Sequence, residues 1–299
     1  MSLRPLNREF TPVTTRAYAK INLDLRLGVR RTDGFHPIET FFIRVDVFDT
    51  IRAEITREAK CSLSIIGDGQ LSAGPDNLVL RAAHALQQLG KTSSGVRLTL
   101  EKVIPQGAGL GGGSSDAAST LRLLRKLWSI PCSDAELASL GTNLGSDVPF
   151  FLQPHAAHAS GRGEILRPVQ CENLPWAVLI HPGFSSSTAE AYSAYAKTPL
   201  VGTEGAPLTL DLQGGKKLTL RPRNDLEGAV ESKFFWIRTA REWISQQPGV
   251  LAARMSGSGS TVFGLWGSQR EAERVVANGR GFFGPDTWMR TAQLISGVE

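Results

Sequence analysis

The run Pro105-Gln106-Gly107-Ala108-Gly109-Leu110-Gly111-Gly112-Gly113-Ser114-Ser115-Asp116 constrains the fold of this chain more than any other segment. Backbone without a Cβ turns through positive φ at little steric cost and lets a ligand approach closely. Ahead of the run, Val96 to Glu101 alternates apolar and polar residues as a strand does; behind it, Leu121, Leu124 and Trp128 share one helical stripe. The order is therefore strand, glycine loop, helix start. Unpaired N–H groups at a helix start, with the positive end of its dipole, attract anions and phosphate above all. The segment reads as a cradle for nucleotide phosphates.

Different phosphate loops make different demands. A Walker A loop closes on Gly-Lys-Ser/Thr, whereas this one ends Gly113-Ser114-Ser115 without lysine. The dinucleotide fingerprint is nominally met by Gly107, Gly109 and Gly112, but it also requires an acidic residue about 20 positions on, at the end of a second strand. Asp134 lies near that distance, and Ser133-Asp134-Ala135-Glu136 instead reads as a helix start before Leu137 and Leu140. A flexible linker fits least, because the loop is embedded between apolar patterns.

The chain has 299 residues, enough for two modest domains or one large one, and 41% hydrophobic with 20% charged residues is the balance of a globular enzyme. No apolar run approaches the ~20 residues of a membrane span. Met1 to Thr15 lacks the apolar core of a signal peptide, so a cytoplasmic location is expected. Cys61, Cys132 and Cys171 are scattered without metal-ligand spacing and read as reduced structural thiols. A net charge of +5 is too mild to specify a partner, and no basic run interleaved with aromatics marks a nucleic-acid surface.

Patterning predicts strands over Ile21 to Leu27, Phe42 to Asp46, Thr50 to Ile55, Ser62 to Ile66, Val96 to Leu100 and Trp176 to Ile180. Helices are predicted over Leu78 to Gln88, Asp116 to Leu127, Asp134 to Gly141 and Phe234 to Ile244. Strands dominate the first 70 residues, so the expected class is α+β. The composition shifts around Pro168 to Pro175, which places a domain boundary at 168/169 and gives domains 1–168 and 169–299. Thr203 to Lys217, rich in glycine and turn formers, reads as a mobile connection. Ser160-Gly161-Arg162-Gly163-Glu164 reads as a hairpin turn, and Arg254 to Ser260 as a turn before a strand over Thr261 to Trp266.

Three further positions carry chemistry. Lys20 sits among Ala17, Ala19, Ile21 and Leu23 with Asn22 on its own face, a pattern that taken alone favours a lysine snorkelling from an edge strand. Asp147, before Val148-Pro149-Phe150-Phe151, reads as a constrained entry from loop to strand, where aspartate is often only a turn former. Phe35-His36 follows the turn signal Thr32-Asp33-Gly34.

Taken in order, Ala19-Lys20-Ile21-Asn22-Leu23, Asp33-Gly34-Phe35-His36, Asp76-Asn77-Leu78, the glycine loop, Gly145 to Phe151, Gly161-Arg162-Gly163-Glu164, His181-Pro182-Gly183 and Ser256 to Ser260 closely resemble the GHMP family of small-molecule kinases. The resemblance runs from about Ala17 to Phe263. It implies a two-domain fold with the active site in the interdomain cleft, and transfer of phosphate from ATP, with Mg2+, to the hydroxyl of a small molecule. Lys20 and Asp147 match the family's catalytic pair. Asn77, Lys102, Pro105, Gly107, Gly109, Leu110, Gly111, Gly112, Gly113, Ser114 and Ser115 match positions around ATP, with Ser114 or Ser115 holding a phosphate or the Mg2+ shell.

On the acceptor side, the resemblance implies a small-molecule substrate carrying a cytidine diphosphate group. Phe35 and Tyr192 match positions that stack on the base, His36 one that binds its edge, and Asn22 and Thr188 ones that line the rest. Phenylalanine stands at 35 where the family usually has tyrosine, and serine at 146 where alanine is frequent. Neither change removes chemistry. Asp116 receives no role: its carboxylate beside phosphates is accounted for electrostatically only if magnesium intervenes. No nucleic acid or membrane partner is expected, and the chain is expected to be a monomer or weak homodimer. The alternatives are a kinase of the same type for another small alcohol and a non-catalytic sensor of a nucleotide or metabolite.

Overall fold

Two long strands carry the architecture of the protein, which the computed structural model describes over residues 11–198 and 202–297. They are β1 (Val13–Leu27) and β2 (Ile38–Thr56), paired antiparallel along their lengths. Their register shifts between Tyr18 and Ala19 and again between Asn22 and Asp24. Irregularities of this kind re-aim side chains locally, and here they bracket Lys20 to Asn22. Sequence patterning split β2 in two at Val47-Phe48-Asp49, but the strand is continuous. The buried Asp49 accepts hydrogen bonds from the N–H groups of Val103 at 2.6 Å and Ile104 at 2.9 Å, so its charge is satisfied without breaking the strand.

The chain continues through β3 (Cys61–Ile66), α1 (Leu78–Gly90), β4 (Gly95–Glu101), α2 (Gly112–Leu127), α3 (Asp134–Leu144), α4 (Val148–Leu152), β5 (Ala156–Ser160) and β6 (Ile165–Val169). Helix α1 buries Val79, Ala82, Ala83 and Leu86, and α2 buries Ala117, Ala118, Leu121 and Leu124, all in one core with Ile51, Val96, Leu98 and Leu100 of the sheet. A fully buried leucine contributes about 1.5–3 kcal/mol. Packing therefore holds α2 in place although its first turn is made of glycine and serine, which are indifferent helix formers. Helix α3 starts on a capping box formed by Ser133 and Glu136.

Beyond these come β7 (Cys171–Glu172), β8 (Trp176–His181), α5 (Thr188–Lys197), β9 (Leu208–Leu212), β10 (Lys216–Leu220), α6 (Glu227–Lys233), α7 (Phe235–Ser245), β11 (Ala252–Met255), β12 (Val262–Trp266), α8 (Gln269–Phe283) and β13 (Trp288–Ile295). The stretch expected to be a mobile connection, 203–217, instead contributes to the antiparallel hairpin β9–β10, which pairs with β7. Leu208, Leu210 and Leu220 bury one face of it, a period-two signal masked by the turn glycines Gly214 and Gly215.

The main sheet runs β11-β12-β8-β13-β2-β4-β3, with β1 and β5 also paired to β2 and β6 to β5. Strand β13 is the join: it pairs with β8 along most of its length and with β2 at Leu294 and Ile295. Helices α7 and α8 cover the far half of the sheet through Ile237, Ala240, Ile244, Ala272 and Val275. The architecture is α+β, as expected. Among the described residues, no helix is long and apolar enough to cross a membrane, and the three cysteines are free thiols.

Candidate active site

Lys20 and Asn22 project from the same face of β1 because side chains alternate along a strand. Both are 4% exposed, so Lys20 does not snorkel to the surface. Its Nζ donates to Asn22 Oδ1 at 2.7 Å, lies 3.4 Å from Asp147 Oδ2 and sits 5.0 Å over the ring of Phe42. Asn22 is fixed in turn by donating to Thr40 Oγ1 at 2.8 Å. Asp147 is the N-cap of the short helix α4, where sequence patterning expected entry to a strand. Pro149 favours the first turn of a helix, and Val148, Phe150 and Phe151 are buried.

The other end of α4 is held by Arg44. Its guanidinium, 2% exposed, donates to the carbonyls of Phe150, Gln153, Pro154 and His155 at 2.5–3.2 Å and lies 4.5 Å over the Phe150 ring. Burial, with the like charge of Arg122, pulls its pKa down to about 9. Lone carbonyls at a helix C-terminus carry partial negative charge, so they serve this cation where no carboxylate does.

The glycine loop joins β1 beside Lys20. Lys20 N donates to Leu110 O at 2.9 Å. Gly107, Gly109 and Gly111 have φ of 58°, 75° and 69°. Gly111 is the N-cap of α2 with no side-chain hydrogen bond, which leaves the first N–H groups of the helix available to an anion. A Cβ on Gly109 would collide with the carbonyl oxygen of Ser256, so only glycine fits there. Ser256 Oγ donates to Gly109 O at 2.9 Å and receives Asn22 N at 3.3 Å. Thr261 N bonds to Ala108 O, and Ser186 N to Gly107 O, both at 3.1 Å. Segments that precede α5 and β12 thus sew the loop in place.

Behind the loop, Lys102 Nζ lies between Asp49 Oδ2 at 2.5 Å and Asp116 Oδ2 at 2.9 Å. Desolvation opposes the charge on Lys102, but the two carboxylates outweigh it and hold its pKa up. Asp116 is pushed up to about 7 by burial, with Lys102 opposing and Asp49 adding to the shift. Its Oδ1 is buried without a partner. Lys102, rather than magnesium, is the cation that accompanies Asp116 here; it lines the cleft with its ammonium committed to the two carboxylates.

One cleft of about 1390 Å3 is lined by Lys20, Asn22, Phe35, His36, Asn77, Lys102, Pro105, Gly107, Gly109, Gly111 to Ser114, Asp147, Thr188 and Tyr192. That exceeds the ~300–1,000 Å3 of an ordinary single-ligand site. Leu110 and Ser115 do not line it. The Leu110 side chain is 1% exposed and packs in the core, and Ser115 is 1% exposed within the first turns of α2. Asn77 lines the cleft but spends its side chain on capping α1, accepting from Val79 N at 2.9 Å and donating to Ser72 O at 2.7 Å.

On the far wall, His36 Nδ1 lies 3.0 Å from Gly28 O and its buried Nε2 has no partner. Tyr192, from α5, lines the cleft with Asp147 and has its hydroxyl pushed up to about 12 by burial, with the negative charge of Asp147 adding to the shift. Thr188 Oγ1 shares a hydrogen bond of 2.8 Å with Ser258 Oγ. Sequence reasoning missed Asn224 and Glu227. Asn224 Nδ2 donates to Met255 O at 2.7 Å and Gly257 O at 2.8 Å, while Glu227 Oε1 accepts from Met255 N at 2.7 Å. The polar run Arg223-Asn224-Asp225 between apolar segments was the available signal. Arg44 and Asp49 gave none, since their partners lie far along the chain.

An anion-binding helix start facing a lysine–aspartate pair, in a cleft roomy enough for two ligands, defines a small-molecule kinase. The chain belongs to the GHMP kinase family: the family model for the GHMP kinases N terminal domain matches residues 77–154, and that for the GHMP kinases C terminal matches residues 213–283. It is 37% identical over 283 residues to the 4-diphosphocytidyl-2-C-methyl-D-erythritol kinase of Methylacidiphilum infernorum, covering 93% of this chain and 96% of that one. With the protein of the same name from Pseudomonas entomophila it shares 40% identity over 267 residues, covering 89% and 88%. A crystal structure of 4-(cytidine 5'-diphospho)-2C-methyl-D-erythritol kinase superposes with a TM-score of 0.76 at 31% identity, over 96% of this chain and 100% of that one. Homoserine kinase from Cytophaga hutchinsonii, at a TM-score of 0.71 and 15% identity over 99% of this chain and 98% of that one, shares the fold.

Proposed function

We propose that the protein transfers the γ-phosphoryl group of ATP to the 2-hydroxyl of 4-diphosphocytidyl-2-C-methyl-D-erythritol, releasing ADP, as a step toward isoprenoid precursors. The observation that carries this reading is the 3.4 Å approach of Lys20 Nζ to Asp147 Oδ2 beside the uncapped start of α2. Phosphoryl transfer asks an enzyme for an aligned nucleophile and for compensation of spreading negative charge, not for covalent chemistry. Asp147 orients the substrate hydroxyl and accepts its proton. Lys20, steered by Asn22, steadies charge on the transferred group. The glycine loop and the first turn of α2 wrap the ATP phosphates, while Phe35 and Tyr192 sandwich the cytosine, worth about 1–3 kcal/mol per stacked base. His36, which lines the same cleft, is assigned to the edge of the base.

Mg2+ belongs to the same proposal. Magnesium takes oxygen ligands and keeps several from water and phosphate, and Ser114 Oγ with the unpartnered Asp116 Oδ1 supplies hard oxygen at the loop. Bound there, the ion would neutralise charge on the phosphates. The division into an ATP-binding part, 1–168, and a second part, 169–299, is likewise proposed.

The test is turnover by the purified protein in an ADP-coupled assay with 4-diphosphocytidyl-2-C-methyl-D-erythritol, mevalonate and homoserine. Selective ADP release with the first is expected. Faster turnover of another alcohol would overturn the substrate assignment, and ATP binding without turnover of any would favour a sensor.

A further inference from the structure

The turn between β5 and β6 has no part in the chemistry above, yet it lies against it. Gly163 sits so that a Cβ there would lie 3.8 Å from Asp147 Oδ1. Ser160 O accepts Gly163 N at 3.0 Å, Gly161 O accepts Ile38 N at 2.8 Å, and Glu164 Oε2 accepts Arg162 N at 2.6 Å, so the turn is held from within and by β2. Arg162 lines the cleft. Its guanidinium carbon is 3.6 Å from the centroid of the Phe35 ring, and Nη2 lies 3.7 Å from Asp33 Oδ2. Phe35 is 49% exposed, with its backbone held by Asp33 Oδ1 and Arg31 N. Nothing else in contact with the ring is charged among the described cation–aromatic pairs.

One face of Phe35 is therefore occupied, and a base can take only the other. A guanidinium lying flat on a ring is attracted by its quadrupole, fixes its plane and leaves a cation beside the bound ligand. Arg30, whose Nε donates to Gly34 O at 3.0 Å, lines the same part of the cleft, which suits the negative charge of a diphosphate. On the function proposed above, we infer that Arg162 is a specificity-determining residue for the cytidine diphosphate substrate, stacked as the outer layer behind Phe35 and the base.

The experiment compares the wild type with Arg162→Met, which keeps the apolar stem, and Arg162→Lys, which keeps the charge but not the plane. CDP affinity is read by calorimetry, and the Michaelis constants for ATP and for the cytidylyl substrate by turnover. Arg162→Met is expected to weaken CDP binding and raise the KM of the cytidylyl substrate about five- to tenfold, the scale of one stacked cation. ATP KM and kcat should stay within about twofold, since the residue's contacts are with Phe35, Asp33 and Glu164 and not with the glycine loop; Arg162→Lys should recover less than half of the loss. Unchanged CDP affinity in Arg162→Met, with normal wild-type turnover, overturns this inference alone. An equal rise in both Michaelis constants also overturns it and makes the turn a structural support. A wild type that neither binds CDP nor phosphorylates the cytidylyl substrate removes the functional reading and this inference together.

Discussion

At the scale of single residues, the site divides into groups that touch substrate in the proposed mechanism and groups that hold them. Asp147 is of the first kind. Asp147→Asn keeps shape and hydrogen bonding but cannot accept a proton, so kcat is expected to fall ~10²-fold or more while KM for ATP changes little, a loss confined to the transition state. Steady-state kinetics check this; an unchanged kcat would mean another group takes the proton. Glu227 is of the second kind. Burial, partly offset by Arg254, pushes its carboxyl up to about 7 from an unfolded value of 4.5. The folded state thus favours the protonated form: this contribution to stability is complete below 4.5 and is lost as pH rises through about 7. Glu227→Gln, which can still accept from Met255 N, is expected to lose less melting temperature between pH 6 and 8 than the wild type. Thermal scans at stepped pH decide; parallel pH profiles would show that Glu227 titrates normally. Lys20 and Asp147 were legible as a pair only through their motifs. Neither Arg44 nor Asp49 was, because a buried charge is explained by partners 53 to 111 positions away, and a single sequence does not record such distances.

Among the elements, the glycine loop was the most legible, since glycine spacing, a preceding strand and a following helical stripe are all local. The structure adds why the spacing matters. Gly109 combines a φ of 75° with contact against Ser256. Gly109→Ala is expected to destabilise the protein by about 1–3 kcal/mol, the cost of a strained residue, and to raise KM for ATP about tenfold or more by displacing the loop. Denaturant melts and ATP titration measure both. A variant of wild-type stability and affinity would mean that Ser256 yields without consequence. Element ends were less legible. Helix α2 begins at Gly112, four residues before the predicted start, because tertiary packing overrides the poor propensity of its glycines and serines. Asp147 was read toward a strand because four apolar residues cannot distinguish one turn of helix from a short strand.

For the molecule as a whole, composition and the strand-rich opening gave the α+β class, whereas nothing in the sequence announced that β13 lies between β8 and β2. Pairings so remote in sequence leave no periodic trace. The cleft depends on the same remoteness: Tyr192 on α5 and Asp147 at the start of α4 line it together, and Ser256 before β12 touches both β1 and the glycine loop. Such an assembly is dominated by non-local contacts, which slows folding because the chain entropy of closure precedes the reward.

The position of β13 has a consequence for how the polypeptide is made. It follows every other described element, yet it fills the slot between strands from early and middle sequence. A nascent chain halted on the ribosome before residue 288 would leave β8 with an open edge along Trp176 to His181 and β2 with an unpaired gap at Arg44 and Val45. Such an intermediate exposes a strand edge prone to misassociation until β13 emerges and closes the seam.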